Sequence, residues 1–456
     1  MSGMDTYRSA DATDTPDPIT GLYSVAWLLS HLGSLQLRYH KIPGAILSCQ
    51  VQSITSIHTS FGHQQEAEIT AQYADWLRCL CPEEVILAGT RDSQVLIYIQ
   101  DIDKRRMEEL AYQISDQPPL IGVKESNIPV VLASSIGAAY IDDLDSPDPA
   151  GCIRGSLSAL KGCQLSRAGY QVYCKTKHQE LEMRAVIARD LAAALQSNHI
   201  YFALQPQFNI ETQALEGAEM LMRWHHLEYG PLSAQTVVDV AESTQQILYL
   251  GQHALRTALE HLRRWKTVSW IPNNFRLAIN VSAAELETAG YIDNLSSLLI
   301  GNDDLTQFLE LEITESLSLG DLDKITSKIE RLKAWGIQVA LDDFGTSHAN
   351  LHHLAALKVS TVKLDRSFIN SASYNHRAEA VCKWVPQLAD ELGIRVVAEG
   401  VETDDQLQLA RRSGAGIVQG YHLAEPMGLS DFENLLVQQV EQDSKIPCHQ
   451  LPLLSA

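Results

Sequence analysis

Short apolar runs that each end in a polar residue recur through the second half of the chain, at a spacing of about one strand–helix unit. The eight runs, in chain order, read IYFALQPQ, GAEMLMRW, RLAINVS, LELEITE, QVALDDF, TVKLD, RVVAEG and GIVQGY. Most are separated by stretches with helical periodicity, such as GQHALRTALEHLRRW and KITSKIERLKAWG. Eight strands joined mostly by crossover helices favour a closed (β/α)8 barrel of the TIM type over an open doubly wound sheet.

The first half has a different pattern, in which strand-like and helical runs alternate less regularly. The strand-like runs are GAILSCQVQ, EEVILAG, SQVLIYIQ and VVLASSIGAAYI, and the helical ones include SVAWLLSHLG and RRMEELAYQIS. This pattern predicts a smaller α+β domain, so the whole chain is of the α/β class. We predict the following organisation: a disordered tail over 1–18, a first domain over 19–176, a linking helix over 177–198, a barrel over 199–442 and a loose tail over 443–456.

Composition excludes some classes of partner. The 456 residues carry a formal net charge of −21, which argues against a broad nucleic-acid-binding face and hence against DNA as a partner. The polar, acidic start lacks a signal-peptide core. The longest apolar stretch, Ile128–Ile141, is shorter than the ~20 residues of a membrane helix. A cytoplasmic protein without a membrane segment is the prediction.

The polar residues at the strand ends are mostly acidic. They are Glu219, Asn280, Glu312, Glu315, Asp342, Asp343 and Glu399, with Lys363 and Asp365 in an equivalent position. Strand ends of a barrel meet on one face, and unpaired buried carboxylates cost several kcal/mol. Such a cluster therefore needs metal ions, and oxygen ligands suit Mg²⁺ or Mn²⁺. Salt-bridged caps at the barrel rim are the alternative, but the nearby motifs supply few matching cations: Arg223, Lys363 and Arg366.

Seven short motifs carry a resemblance to a known family. They are EMLMR, with Met220 in place of the usual Ala, then NVS, LEITES, DDFGT, KLD, EGVE and QGY. From about Leu181 to Gln442 the chain resembles the EAL-domain phosphodiesterases, which hydrolyse the second messenger cyclic di-GMP. The resemblance implies a two-metal site held by Glu219, Asn280, Glu312, Asp342, Asp343 and Glu399, with Lys363, Glu219 and Glu399 catalytic. It also implies that substrate is bound by Gln205, Arg223, Asp365, Glu402 and Gln419, that Glu315 anchors a loop, and that the barrel forms a homodimer.

The chemistry of these residue types agrees with that reading. Two divalent ions about 4 Å apart polarise a water and clamp both oxygens of an in-line displacement at phosphorus. Arg223 offers a planar donor fork to a phosphate. Lys363 either loses its proton and activates the water or balances charge on the phosphorus, and the sequence leaves both roles open.

The first domain resembles a GGDEF (diguanylate cyclase) domain, of palm-type fold, that has lost its chemistry. The matching segments are DPITGL, SFGH, SSIGAA and SLSALKGCQLSRAGYQVY. The signature itself reads Thr90 to Gln94, with Ser93 in place of the catalytic Glu. Gln50 and Gln52 replace metal-binding Asp, and Cys81 and Glu84 replace the Arg and Asp of a product-inhibition site. A regulatory or structural role, with a protein partner, is expected in place of synthesis.

The resulting hypothesis is metal-dependent hydrolysis of cyclic di-GMP to linear pGpG by the barrel, beside an inactive first domain. A non-hydrolytic cyclic di-GMP receptor is one alternative. It is favoured by the altered loop DDFGTSHANL, where Ser347 replaces a glycine and His348 an aromatic residue. A scaffold that signals only through protein contacts is the other.

Overall fold

A computed structural model describes most of the chain. The described residues are 15–51, 63–82, 84–90, 94–122, 129–166, 168–197, 199–314, 322–345, 354 and 356–445. The chain divides into two compact units, Met1–Ala185 and Val186–Ala456. Among the described helices, none combines the length and the apolar character needed to cross a bilayer. The domain limits predicted from the sequence stay predictions.

The first unit is a mixed sheet with helices packed on both faces. Its strands are β1 (Tyr23–Ser24), β2 (Ala45–Val51), β3 (Val85–Gly89), β4 (Gln94–Ile99), β5 (Leu120–Gly122), β6 (Pro129–Val131), β7 (Ser134–Tyr140) and β8 (Tyr170–Val172). Its helices are α1 (Val25–Tyr39), α2 (His63–Leu80), α3 (Lys104–Asp116) and α4 (Pro149–Ser166), followed by α5 (Lys175–Gln196). The six-stranded sheet has the order β1-β3-β4-β2-β7-β8, while β5 and β6 pair separately.

Strand β2 shows why this sheet has two covered faces. Its side chains are buried almost without interruption, which is typical of a strand packed on both sides. Ile46 joins the apolar cluster that contains Leu28 of α1, whereas Leu47 joins the cluster that contains Met107 of α3. The mixed α and β character predicted for this half is confirmed. The run VVLASSIGAAYI, predicted as one strand, is instead divided between β6 and β7.

The second unit is the predicted eight-stranded barrel. Its strands are β9 (Ile200–Asn209), β10 (Leu215–His226), β12 (Arg276–Val281), β13 (Leu309–Thr314), β14 (Gln338–Phe344), β15 (Thr361–Leu364), β16 (Arg395–Ala398) and β17 (Ile417–Val418). A short β11 (Gly230–Leu232) pairs antiparallel with the end of β10. The sheet runs β10-β12-β13-β14-β15-β16-β17-β9 and closes through a β9–β10 pairing. Each of the eight apolar runs thus forms a barrel strand.

One strand departs from a parallel (β/α)8 barrel. β9 is antiparallel to both of its neighbours, β10 and β17. The cause is the short connection over residues 210–214, because a parallel crossover needs a dozen or more residues whereas an antiparallel pair needs only a turn. β9 and β10 therefore form a hairpin, and the other six strands of the eight-stranded barrel are parallel to β10.

The helices of this unit cover the outside of the barrel. They are α6 (Ala234–Ser243), α7 (Ile247–Thr267), α8 (Ala283–Glu287), α9 (Tyr291–Leu299), α10 (Leu322–Ala334), α11 (Arg366–Ser371), α12 (His376–Glu391), α13 (Asp404–Ser413) and α14 (Leu429–Lys445). In α7 the buried residues Leu255, Ala258, Leu259 and Leu262 follow the spacing of one helical face. In α13 a capping box of Thr403 and Gln406 fixes the first turn.

Alternation along the strands decides what fills the barrel. On β13, Leu309, Leu311 and Ile313 belong to the apolar core. The intervening Glu310 and Glu312 point to the opposite side of the sheet, because side chains of a strand alternate between its faces. The interior of the barrel therefore receives a polar set of side chains from strands whose outer faces are apolar.

Candidate active site

Lys363 stands at the centre of the polar interior. Its ammonium lies 2.9 Å from Glu312, 2.7 Å from Glu399, 3.2 Å from Asp342 and 3.4 Å from Glu219. The side chain is 1% exposed. Four carboxylates that the sequence places at strand ends thus surround one lysine. A structural ion pair needs only one carboxylate for each lysine, so this cluster has more acidic groups than its single cation can balance.

Strand register explains how distant residues meet. Asn280 of β12 is paired with Glu312 of β13, and Gln205 of β9 is paired with Glu219 of β10. Lys363 lies one residue before the end of β15, and Glu399 directly follows β16. Because neighbouring strands are in contact at these positions, each side chain points into the same end of the barrel.

A bulge brings two consecutive aspartates to this end. Asp342 and Asp343 would face opposite sides of a regular strand. The register between β14 and β15 shifts between Leu341 and Phe344, and Asp343 has a φ of 53°. A left-handed residue at a bulge re-aims the side chains around it. Ligand atoms of Asp342, Asp343 and Glu399 consequently lie within 4.8 Å of one another.

Side-chain amides hold the carboxylate of Glu219. Asn280 donates to its Oε1 at 2.9 Å, and Gln419 donates to its Oε2 at 2.7 Å. Gln419 also donates to Gln205 and accepts a hydrogen bond from Gln207. Gln207 was missed in the sequence analysis, although it is two residues from Gln205 and therefore shares its face of β9.

The carboxylates respond unequally to this environment. Burial opposes the ionisation of Glu219, but Lys363 and the two amides outweigh it, so the pKa of Glu219 lies below its ordinary value. Burial and the charge of Glu219 raise the pKa of Glu312 well above its ordinary value. Burial, opposed by Lys363, raises the pKa of Glu399 to about 8. At neutral pH the carboxyl of Glu399 is therefore largely protonated, and a bound cation would displace that proton.

Lys363 itself stays charged. Burial alone would lower the pKa of the ammonium, but Glu219, Glu312, Glu399 and Asp342 outweigh it and raise the pKa well above its ordinary value. Burial and the neighbouring Asp342 also raise the pKa of Asp343. One lysine is thus insufficient to keep every carboxylate of the cluster ionised.

The donor set fits divalent cations. Carboxylates and an amide oxygen are hard ligands, and they outnumber the single ammonium that faces them. The close approach of Asp342, Asp343 and Glu399 gives a cation several oxygen ligands at one point. Hard oxygen ligands of this kind match Mg²⁺ or Mn²⁺ better than the softer sites of zinc or copper.

The remaining predicted site residues differ in their surroundings. Arg223 is half-buried and donates to the backbone oxygen of Met222. Asp365 caps α11 by accepting a hydrogen bond from the backbone of Ser367. Glu402 is exposed, and its backbone N–H donates to Gln406. Glu315 and the altered loop residues Ser347 and His348 lie outside the described residues, so their predicted roles stay predictions.

A cavity of about 730 Å³ opens beside the cluster. Glu219, Asn280 and Asp343 form part of its wall, and Arg223 and Glu285 line it further out. Glu285 is 5% exposed, and a side chain at Gly251 of α7 would clash with its carboxyl group. Burial raises the pKa of Glu285 to about 8, so this carboxyl is largely neutral at pH 7.

Comparison with known proteins identifies the family. The model of the EAL domain family matches residues 188–426, which is more than half of the chain. The chain belongs to the EAL domain family. The family resemblance of the second half is thereby confirmed, while the GGDEF-like reading of the first half stays a prediction.

Two curated relatives from Pseudomonas aeruginosa extend over most of the chain. The cyclic di-GMP phosphodiesterase PA2567 is 28% identical over 447 residues, covering 96% of this chain and 73% of the relative. The bifunctional diguanylate cyclase/cyclic di-GMP phosphodiesterase MucR is 25% identical over 386 residues, covering 84% of this chain. This chain spans 56% of the length of that relative.

Two solved structures share the fold. The PaMucR phosphodiesterase in complex with c-di-GMP is 30% identical with a TM-score of 0.51, and the match covers 54% of this chain and 99% of that one. The EAL enzyme Bd1971 in its cGMP-bound form has a TM-score of 0.53 at 22% identity, covering 77% of this chain and 92% of that one. The second likeness concerns the fold alone.

Proposed function

We propose that the barrel hydrolyses cyclic di-GMP to linear pGpG in a reaction that depends on divalent cations. The observation that carries this proposal is the gathering of Glu219, Glu312, Asp342 and Glu399 around Lys363. It is supported by the similarity to the PaMucR phosphodiesterase, whose structure is a c-di-GMP complex. The cavity beside the cluster offers space for a nucleotide at the acidic end of the barrel.

The ions would be held by Glu219, Asn280, Glu312, Asp342, Asp343 and Glu399. When bound, divalent ions lower the pKa of a water and neutralise the charge that develops on phosphate. In the net reaction the water oxygen bonds to phosphorus, the P–O3′ bond breaks, and the released 3′ oxygen takes a proton. The product is a linear dinucleotide with a 5′ phosphate.

Lys363 and Arg223 supply positive charge to this reaction. The carboxylates around Lys363 keep it protonated, which favours charge balance at phosphorus over activation of the water. Arg223 lines the cavity. Its guanidinium can donate two hydrogen bonds to a phosphate of the substrate and so orient it.

In the first unit, a hydrogen-bonded pair of neutral amides supports an inactive domain. Gln94 of β4 donates to Gln50 of β2 at 2.8 Å. If this unit is GGDEF-like, Gln50 occupies a strand position where a cyclase carries a metal-binding carboxylate. The two amides use their hydrogen-bonding groups on each other and carry no negative charge that would attract a cation. We therefore expect a regulatory or structural role for this unit.

The test is product formation from cyclic di-GMP. Purified full-length protein is incubated with the dinucleotide and Mn²⁺ or Mg²⁺, with and without a chelator, and the products are separated by chromatography. The proposal expects pGpG only where free divalent ion is present. Binding of cyclic di-GMP without pGpG would contradict hydrolysis and support the receptor, and the absence of binding would support the scaffold.

A further inference from the structure

Glu219 depends on amide donors for its orientation. Its two carboxylate oxygens accept from different amides, Asn280 at Oε1 and Gln419 at Oε2. The ammonium of Lys363 lies farther from Oε2, at 3.4 Å, than the 2.7 Å of the Gln419 amide. The direction of the Gln419 amide therefore matters for the position and charge of Glu219.

Gln419 can present either a donor or an acceptor to Glu219. In the structure its Nε2 uses both hydrogens, one toward Glu219 and one toward Gln205 Oε1 at 3.0 Å. Turned by 180°, the amide would aim its oxygen at a carboxylate, and two acceptors would face each other inside the barrel. Gln419 is 4% exposed, so water is a poor substitute for the lost donor.

Gln207 selects between these two directions. Its Nε2 donates to Gln419 Oε1 at 2.9 Å, and its side chain is 2% exposed. Gln207 is paired across the sheet with Gly217, and a Cβ on that glycine would lie 2.9 Å from Gln207 Oε1. The missing side chain of Gly217 leaves the space in which the Gln207 amide lies against Gln419.

We infer that Gln207 is a positioning residue: it fixes the amide of Gln419, which in turn holds the Glu219 carboxylate at the catalytic centre. Gln207 acts through hydrogen bonds and has no place among the proposed ligands or substrate contacts. The inference rests on the proposed function for its effect on catalysis. The direction of the Gln419 amide is a separate, structural claim.

The first experiment compares two substitutions at one position. Q207M keeps the length of the side chain but removes the donor, and we expect a fall in kcat of about 10-fold or more, as is usual for groups that orient a metal ligand. In its protonated form, which burial favours, Q207E keeps a donor toward Gln419 and should retain more activity than Q207M; when ionised at higher pH it can only accept, and kcat should fall. A role in packing alone predicts that Q207M, which fills the same space, is as active as protonated Q207E.

Q338M provides the matched control. Gln338 begins β14 and donates to the backbone oxygen of Gly336, so Q338M also removes one amide from a barrel strand. We expect Q338M to keep kcat within about 2-fold of wild type. The double variant Q207M/Q419M should be no slower than Q419M, since Gln207 acts through Gln419. The inference would be overturned if the fold-losses in kcat of Q207M and Q419M multiplied in the double variant. It would also be overturned if Q207M and Q338M lost kcat equally.

A readout without catalysis separates this inference from the proposed function. The side-chain amide signals of Gln419, assigned by their disappearance in Q419M, are followed in ¹H–¹⁵N spectra of the full chain. Q207M and Q207E should shift these signals, and Q338M should leave them in place. Unmoved signals in both Gln207 variants would overturn the inference even if the protein hydrolyses cyclic di-GMP. If the signals shift in a protein that does not hydrolyse cyclic di-GMP, the proposed function is overturned, but the positioning of the Gln419 amide by Gln207 is supported.

Discussion

Strands β13, β15 and β16 contribute to two polar layers inside the barrel, and the layers differ in charge. Toward the strand starts, Glu310 accepts from Thr361 at 2.6 Å and from Arg395 at 3.1 Å. Two residues further along β13 and β15, and four along β16, stand Glu312, Lys363 and Glu399. In the first layer Glu310 has Arg395 as its ion-pair partner and the charge of Arg276 nearby, whereas the second layer sets four carboxylates around one ammonium.

Charge balance distinguishes a structural polar cluster from a chemically active one inside this barrel. A carboxylate paired with a guanidinium, such as Glu310 with Arg395, specifies packing and carries no surplus negative charge. Burial, together with the charge of neighbouring carboxylates, raises the pKa values of Glu312, Glu399 and Asp343 in the second cluster. Surplus charge of this kind, kept in a buried site, is the mark of a site that binds an ion or performs proton chemistry.

The largest effect is expected from a change at Asp343, which lies beside the unbalanced layer with ligand atoms close to those of Asp342 and Glu399. Asp343→Asn removes one carboxylate, and Asn tolerates the left-handed backbone at this position. We expect the rate of cyclic di-GMP hydrolysis to fall about 100-fold or more, because a ligand charge is lost. In the presence of a chelator, the thermal unfolding midpoint of the variant should equal or exceed that of wild type. The reason is that the substitution removes a carboxylate that its acidic neighbours repel. Hydrolysis within 3-fold of wild type at saturating Mn²⁺ would contradict the assignment of Asp343.

Arg395→Met makes the opposite test in the balanced layer. It removes the ion-pair partner of Glu310, although the charge of Arg276 remains nearby. Loss of such a partner destabilises proteins by about 3–5 kcal/mol when both groups are fully buried. Because the Arg395 side chain is 35% exposed, we expect about 2–3 kcal/mol by denaturant unfolding. The kcat of the folded protein should change little. A large loss of kcat with unchanged stability would show that the two layers are not separate in function.

Glu285 extends the comparison to a buried carboxyl outside both layers. It packs against Gly251, with the charge of Glu242 and the ring of Tyr291 as its titratable neighbours. Burial raises its pKa to about 8, above the ordinary value, so its contribution to stability is complete below about pH 4.5 and is lost as pH rises through 8. Glu285→Gln removes that loss. We expect equal unfolding midpoints at pH 5 and a more stable variant at pH 8.5, by an amount on the order of 2 kcal/mol.

A midpoint difference that is the same at both pH values would contradict this account of Glu285. It would mean that the carboxyl is ionised throughout or that the amide fails to fit against Gly251. Wild type and variant should be compared in the same buffer without added metal, so that the proposed ligands contribute equally to both curves.

The sequence predicted the barrel well because its signals are local. Each apolar run forms a strand, and Glu219, Glu312 and Glu399 could be found because polar residues at the ends of buried strands converge in a barrel. The reversal of β9 was not predicted, since strand direction depends on the length of residues 210–214 and not on the apolar pattern. In the first half, a run read as one strand is two.

Features that depend on three-dimensional contact were harder to predict. The bulge at Asp342 and Asp343 does not change the alternation of apolar and polar residues from which strands are predicted. Two consecutive acidic residues at a strand end are the only sequence feature that indicates it. The central position of Lys363 depends on carboxylates that β10, β13, β14 and the end of β16 bring together, and no single segment of sequence shows this. The layer of Glu310 and Arg395 was not anticipated, because each residue alone resembles an exposed strand-start charge. Gln207 was overlooked although alternation with Gln205 places it in the interior.

The most direct measurement is the anomalous diffraction of crystals grown or soaked with Mn²⁺. Two manganese peaks about 4 Å apart are expected at the acidic end of the barrel, contacted by Glu219, Asn280, Asp342 and Asp343. The same experiment on Asp343→Asn should lose at least one peak. Ordered crystals at saturating Mn²⁺ without density among these side chains would contradict the account.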